Sequence, residues 1–323
     1  MAAAIGVLRG QELLPFSEAG QRESIFRKIR SAAAIASAAP ASPMRIPRGV
    51  ALQSTAMAEL RIGTSAFTAA GWEGSFYPAG MKPRDFLAYY ATKFDTVEID
   101  STFYRTPSPS TVAGWADKTP KGFLVAAKVP QSITHEKALV DCDGDIAIFL
   151  RTMDLLGDKL GPLLLQFPYF NKKTFKSGDE FLERLRPFLA KLPKSHRFAV
   201  EIRNKNWLNE PFADTLRQRN VALALQDQLW MPLPGQMAFD YITADFTYVR
   251  LLGDRKGIEQ KTKIWDKVIV NRSKELGTWV DVCERTMKRG VSTFVYVNNH
   301  YSGHAPATVA QFLKLVQEEW RGA

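Results

Sequence analysis

From Leu60 onward the hydrophobic positions of the chain switch repeatedly between two spacings. Short apolar runs closed by Gly, Pro or charged residues alternate with longer stretches whose apolar residues fall three and four apart. The first spacing predicts strands, the second amphipathic helices. Strands are expected at 60–65, 96–100, 123–128, 163–167, 197–202, 221–226, 246–251 and 293–297, and helices at 83–94, 110–118, 146–156, 179–192, 212–219, 274–289 and 307–320. Pro83 falls in an opening helical turn, where its missing N–H has no partner to lose. Between Asp227 and Asp245 the rhythm falters, because Pro232, Pro234 and Gly235 leave little room for a full helix. Eight strands alternating with seven or eight helices over about 260 residues predict an α/β fold, the (β/α)8 TIM barrel, with a degenerate sixth helix. An open doubly wound sheet is the competing reading, and the near-even units favour closure.

Residues 1–56 read differently. Positions 31–43 are almost all Ala, Ser and Pro, and such a segment buries too little apolar surface to offset its ordering entropy. A disordered N-terminal extension is expected there. Arg27-Lys28-Ile29-Arg30 before an Ala-rich run has the outline of a secretory or transit signal, while a mis-called start would make Met57 the natural first residue. Residues 57–323 are the expected single barrel domain.

Bulk properties narrow the function classes. With 46% hydrophobic and 24% charged residues the chain reads as soluble and globular, and no apolar run reaches the roughly 20 residues that span a bilayer, so no membrane partner is expected. Cys142 and Cys283 lie far apart without a CxxC, which excludes a cysteine-type zinc site and a disulfide framework and points to a cytoplasmic setting. The net charge of +10 suits an anionic partner. Residues 1–56 hold seven Lys/Arg against three Glu, +4 of that total, so +6 remains for the barrel.

In such a barrel functional groups gather where strands end, at the C-terminal rim. Those ends carry Thr64, Glu98 and Asp100, Lys128, Gln166, Glu201 and Arg203, Asp227, Arg250, and Asn298, Asn299 and His300. Side chains alternate faces along a strand, so Glu98 with Asp100, and Glu201 with Arg203, each share a side. Carboxylates inside a barrel are costly without partners, which places them near an open, wet end. A Glu–Arg pair there reads equally well as a buried structural ion pair. Lys128, Arg203 and Arg250 converge as donors whose geometry fits carboxylate or phosphate oxygens, so a small anionic ligand is expected. Glu98 and Glu201 are candidate general acid and base. Lys128 joins them as an alternative, a Schiff-base lysine if desolvated, and His135 through its position near the mouth, where it titrates. Tyr104, Arg105 and Trp207 extend the ligand-binding set.

Four histidines, His135, His196, His300 and His304, are too few and too scattered for a His-rich zinc cluster. Magnesium or manganese on Glu98, Asp100, Glu201 or Asp227 stays open. No other cofactor is predicted, since no P-loop, no GxGxxG after a strand and no serine elbow occurs. The loop Gly71-Trp72-Glu73-Gly74-Ser75-Phe76-Tyr77-Pro78 reads as packing on the barrel or as a stacking surface. The run from Asn299 to His304 suggests a helix start able to hold an anion.

Several of these runs together resemble a known family. Ile62-Gly63-Thr64-Ser65, Val97-Glu98-Ile99-Asp100-Ser101-Thr102-Phe103-Tyr104-Arg105, Lys128-Val129-Pro130, Ile133-Thr134-His135, Leu165-Gln166-Phe167-Pro168, Val200-Glu201-Ile202-Arg203, Tyr248-Val249-Arg250 and Tyr296-Val297-Asn298-Asn299 are similar, in order, to those of the YecE-like family, domain of unknown function 72. The resemblance implies a TIM barrel and carries no reaction with it. Against the family pattern, Asp100 stands where Asn is usual, Leu251 follows Arg250 where His is frequent, and Val297 replaces a Phe. An acid/base role for the histidine after Arg250 is therefore not carried over, and the family's Asn on the last helix is not matched cleanly near Thr308.

Three function classes follow. The first is an enzyme, a hydrolase, lyase or isomerase, acting on a phosphate- or carboxylate-bearing small molecule. The second is a nucleic-acid-binding or phosphodiester-hydrolysing barrel, suggested by the basic excess and by Trp72, Tyr77, Tyr104 and Trp207. The third is a non-catalytic metabolite-binding partner protein, whose protein partner the sequence does not name.

Overall fold

Strands covered on both faces by helices need apolar residues at nearly every position, and this is how the eight runs read. In a computed structural model, whose described residues are 58–320, they form β1 (Leu60–Thr64), β2 (Thr96–Ile99), β3 (Leu124–Lys128), β4 (Leu160–Gln166), β5 (Phe198–Glu201), β6 (Ala222–Asp227), β7 (Phe246–Leu251) and β8 (Ser292–Val297). The expected extension over residues 1–56 lies outside the described residues. All ladders are parallel and join the strands in the order β1-β8-β7-β6-β5-β4-β3-β2, which curls the sheet into a (β/α)8 barrel.

The helices are α1 (Phe86–Lys93), α2 (Pro109–Lys118), α3 (Asp143–Met153), α4 (Gly178–Lys191), α5 (Glu210–Arg217), α6 (Arg255–Glu259), α7 (Ser273–Lys288), α8 (Asn299–Ser302) and α9 (Ala305–Glu319). Between β6 and β7 only a 3-10 turn, Pro234–Gln236, forms, as the prolines there require. Strand two stops at Ile99 rather than Asp100, because Asp100 opens a 3-10 turn that runs to Phe103. Two short helices were not expected. One is α6, whose start is capped by the Asp254 carboxylate accepting from Gly257 N at 3.0 Å. The other is α8, capped by the Asn298 side chain.

Alternation sorts the strand residues into two cores. Outward positions such as Val97, Val125, Leu165, Val200, Val249 and Val295 are buried against the helices. Inward positions form a separate cluster: Ala126, Ala199, Ala222 and Ala224 face Phe246, Tyr248, Phe294 and Tyr296. Alanines on β3, β5 and β6 leave room that rings from β7 and β8 fill. The loop carrying Trp72 and Tyr77 is packing, not an exposed surface: both side chains are buried, and Tyr77 stacks on Phe86 at 4.1 Å between ring centroids.

β1 and β2 end the ladder order and are not joined by it. The seam is bridged by the Tyr90 hydroxyl from α1, which accepts from Thr64 N (2.9 Å) and donates to Thr96 O (3.1 Å). Gly63 permits this approach, since a Cβ there would lie 2.1 Å from Thr96 O and 2.9 Å from the Tyr90 oxygen. Removing the bridge by Tyr90→Phe is expected to lower the unfolding free energy by about 1–3 kcal/mol in urea denaturation. A variant as stable as the parent would contradict this account of the seam.

Candidate functional site

The inward positions at the C-terminal ends of β2, β3, β5 and β7 are charged, and one side chain links them. Arg250, buried on β7, extends across the barrel interior. Its Nη2 and Nε donate to Glu98 Oε1 at 2.8 and 3.2 Å, Nη2 also to Asp100 Oδ1 at 3.2 Å, and Nη1 to Glu201 Oε2 at 3.0 Å. Tyr248, two residues earlier on the same inward face, donates to Glu98 Oε2 at 2.5 Å. Arg203 Nη2 lies 2.5 Å from Glu201 Oε1, an ion contact without hydrogen-bond alignment. Lys128 Nζ stands 3.6 Å from Asp100 Oδ1 and 4.2 Å from the centre of the Phe103 ring, a cation–π position.

Three cations, Lys128, Arg203 and Arg250, thus meet three carboxylates, Glu98, Asp100 and Glu201. The two buried glutamates respond in opposite directions. Burial raises the Glu98 pKa, and Arg250 offsets this only in part while Asp100 adds to it. Burial also pushes Glu201 upward, but Arg203, Arg250 and Lys128 together outweigh it and hold the carboxyl below its ordinary value. Burial lowers the Lys128 pKa, with Asp100 opposing and Arg250 reinforcing the shift. Arg250 remains charged: burial works against it, yet Glu98, Glu201 and Asp100 raise it well above the ordinary arginine value.

Above this layer opens a cleft of about 880 Å³ at the strand ends. Of the residues singled out from sequence, Asp100, Lys128, Arg203 and Arg250 line its charged floor. Tyr104, Gln166, Asn298 and His300 line its walls. Glu98 and Glu201 are fully buried and do not line it; they lie beneath as fixed charges. His135 sits behind Phe103, bonded to the Thr134 hydroxyl at 2.9 Å. Burial, with Lys128 and Arg203 adding, pushes its pKa down to about 4, so its ring is neutral at pH 7. The loop that follows carries Ala138, Leu139 and Asp141 at φ of 43°, 71° and 48°, a cluster of left-handed backbone of the kind found beside functional sites.

The remaining residues are elsewhere engaged. Thr64 belongs to the Tyr90 seam. Asp227 faces outward, accepting from Trp279 Nε1 (2.8 Å) and the Tyr301 hydroxyl (2.9 Å). Trp207 stacks on Phe181 at 5.3 Å. Asn299 Oδ1 accepts from Trp72 Nε1 and Ala305 N. Arg105 is exposed and does not line the cleft. At the start of the last helix, α9, the free N–H groups are taken within the chain: Ala305 N donates to Asn299 Oδ1 at 2.9 Å and Ala307 N to His304 Nδ1 at 3.2 Å. The carboxylates considered for magnesium or manganese are held by Arg250 or, for Asp227, by Trp279 and Tyr301. Among the described residues no group of three or more His, Cys, Asp or Glu is arranged to hold a metal.

Sequence reasoning assigned no role to Tyr248, whose inward parity with Arg250 was the available signal. It also passed over Tyr169 and Trp230, which line the cleft from the loops after β4 and β6. Aromatics within three residues of a rim strand end were the signal there.

Halving a buried ion cluster strands the other half. Arg250→Met is expected to cost about 3–5 kcal/mol in urea denaturation. The loss shrinks as pH falls, because protonation of Glu98 and Glu201 removes the stranded charge. Combining Arg250→Met with Glu98→Gln and Glu201→Gln recovers most of the loss at pH 7, and a triple variant no more stable than Arg250→Met would contradict the cluster's role.

Comparison with known proteins agrees with this architecture. The family model described as "Protein of unknown function DUF72" matches residues 61–323. The UPF0759 protein YecE of Escherichia coli (strain K12) is 36% identical over 118 residues, 36% of this chain and 41% of that protein, so the match spans less than half of that relative. The UPF0759 protein YunF of Bacillus subtilis (strain 168) is 26% identical over 272 residues, 78% of this chain and 94% of its own. The crystal structure of a DUF72 family protein from Thermotoga maritima is similar at 29% identity and a TM-score of 0.64, covering 80% of this chain and 99% of that one. A DUF72 family protein from Enterococcus faecalis V583 shares the fold at 21% identity and a TM-score of 0.58, over 80% and 98% of the two chains. With the family model running from β1 to the end of the sequence, the chain belongs to the DUF72 family.

Proposed function

We propose that this chain is an enzyme that binds a small molecule bearing a phosphate or carboxylate at the barrel mouth and transfers a proton on it. The observation that carries the reading is Lys128, a lysine whose burial lowers its pKa while its amine lines an open cleft. A solvated structural lysine has no such shift, whereas a proton carrier working near neutral pH needs it. Asp100 beside it accepts or returns the proton. Arg203 grips the anion, being the guanidinium on the cleft floor that is not held by several carboxylates. Arg250 serves a different end from the ligand contact expected of it. Bound to Glu98, Asp100 and Glu201, it fixes the charges under the floor. Hydrolase, lyase and isomerase chemistry all contain such a proton-transfer step.

The test is thermal stabilisation of the full chain by a panel of phosphorylated and carboxylated metabolites. Binding to the native state raises Tm by linkage. Arg203→Ala is expected to weaken binding of the stabilising anion by roughly tenfold or more, the loss of one charge-assisted pair. Lys128→Met is expected to abolish turnover of that ligand while leaving it bound. Undiminished binding in Arg203→Ala, or undiminished turnover in Lys128→Met, would contradict the proposal.

A further inference from the structure

Among the described residues three aromatic side chains are largely exposed, Tyr104 at 73%, Tyr169 at 71% and Trp230 at 55%, and all three line the same cleft. They come from three separate loops, after β2, β4 and β6. The cations on the cleft floor come from the strands between and beside them: Lys128 ends β3, Arg203 follows β5 and Arg250 lies on β7. Around the mouth the sequence of groups is therefore ring, cation, ring, cation, ring, cation.

Large rings are rarely left in water without a partner, and the protein's other tryptophans among the described residues are buried or half-buried. Rings from three loops at one cleft call for a ligand with flat apolar faces. Cations between them call for anionic groups spaced between those faces. A nucleotide unit has both, a base that stacks and a phosphate that pairs, and alternation of aromatic and basic side chains is how single strands are held without sequence readout. Strands lie roughly 4.8 Å apart, so the three loops that carry the rings leave the sheet on the order of 10 Å apart, further than one base reaches. A simple sugar phosphate would leave two of the rings without a use.

We infer that the ligand of this cleft is built of nucleotide units, with bases on Tyr104, Tyr169 and Trp230 and phosphate on Arg203. The inference rests on the anion-binding reading above and names its chemical class. The separation of the rings favours a short single-stranded segment over a free mononucleotide. Recognition is by stacking and charge.

The experiment measures binding of a labelled oligothymidylate roughly ten nucleotides long to the full chain by fluorescence anisotropy at low salt. Thymidine monophosphate, glucose 6-phosphate, inorganic phosphate and a duplex of equal length serve as competitors. Tyr104→Ala, Tyr169→Ala and Trp230→Ala alter exposed side chains, and melting curves check that each variant folds as the parent does. Each is expected to weaken oligothymidylate binding by roughly fivefold to a hundredfold, while the Phe substitution at the same position restores most of it. Arg203→Ala is expected to weaken binding and to flatten its salt dependence. Competition by the monophosphate at equal affinity, with dependence on one ring, would overturn the three-ring inference in favour of a free nucleotide while the anion site stands. Preference for the oligomer, with dependence on all three rings, would support it with a single strand as the source. If glucose 6-phosphate or phosphate binds through Arg203 and no aromatic variant matters, the inference is overturned while the anion site stands. If neither oligomer nor monophosphate binds, the inference is overturned, and if no anion of either panel binds, the anion site falls with it.

Discussion

Everything at the mouth of this barrel depends on one guanidinium buried in its interior. Glu98 and Glu201 are both removed from water, and ionised carboxylates in such a place are tolerated only with a counter-charge in direct contact. Arg250 supplies it to both, and to Asp100 above them. It stands above the inner layer in which alanines of β3, β5 and β6 meet rings of β7 and β8. The charge pairing in turn sets the titration of the groups around it. Burial shifts Glu98 upward, with Arg250 offsetting it only in part, whereas Glu201, equally buried, has Arg203, Arg250 and Lys128 about it and is shifted downward.

That arrangement separates two tasks that a list of charged rim residues leaves merged. Glu98 and Glu201 lie beneath the cleft, and Arg250 joins them to the floor that it shares with Lys128, Asp100 and Arg203. A buried ion cluster is weak grounds for function, since it is needed wherever charges have been buried. An amine held below its ordinary pKa on an open cleft is stronger grounds.

Much of this was legible from spacing. Alternation along the strands put Glu98 with Asp100 and Glu201 with Arg203 on shared inner faces, and the count of alternating units predicted the closed fold. Parity also explains the residues that went elsewhere. Asp227 follows the inward Gln226 and so turns out to Trp279 and Tyr301, and Thr64 follows the inward Gly63 and turns to Tyr90. What spacing could not convey was convergence. Nothing along the chain reveals that three carboxylates from β2, its following turn and β5 meet Arg250. The opposite shifts of Glu98 and Glu201 depend on distances across the barrel, which have no signature in sequence. Trp207 looked accessible, and its stacking on Phe181 is a tertiary event of the same kind.

The proposed proton transfer requires a lysine amine at the mouth whose charged form is disfavoured. NMR titration of the Lys128 side chain in the full chain, assigned with Lys128→Met, reads that property. An unperturbed lysine titrates at about 10.4. The account predicts a lower value for Lys128, because burial disfavours its charge, and a further fall in Asp100→Asn, because that carboxylate opposes the shift. A Lys128 that titrates at or above the ordinary value would contradict it.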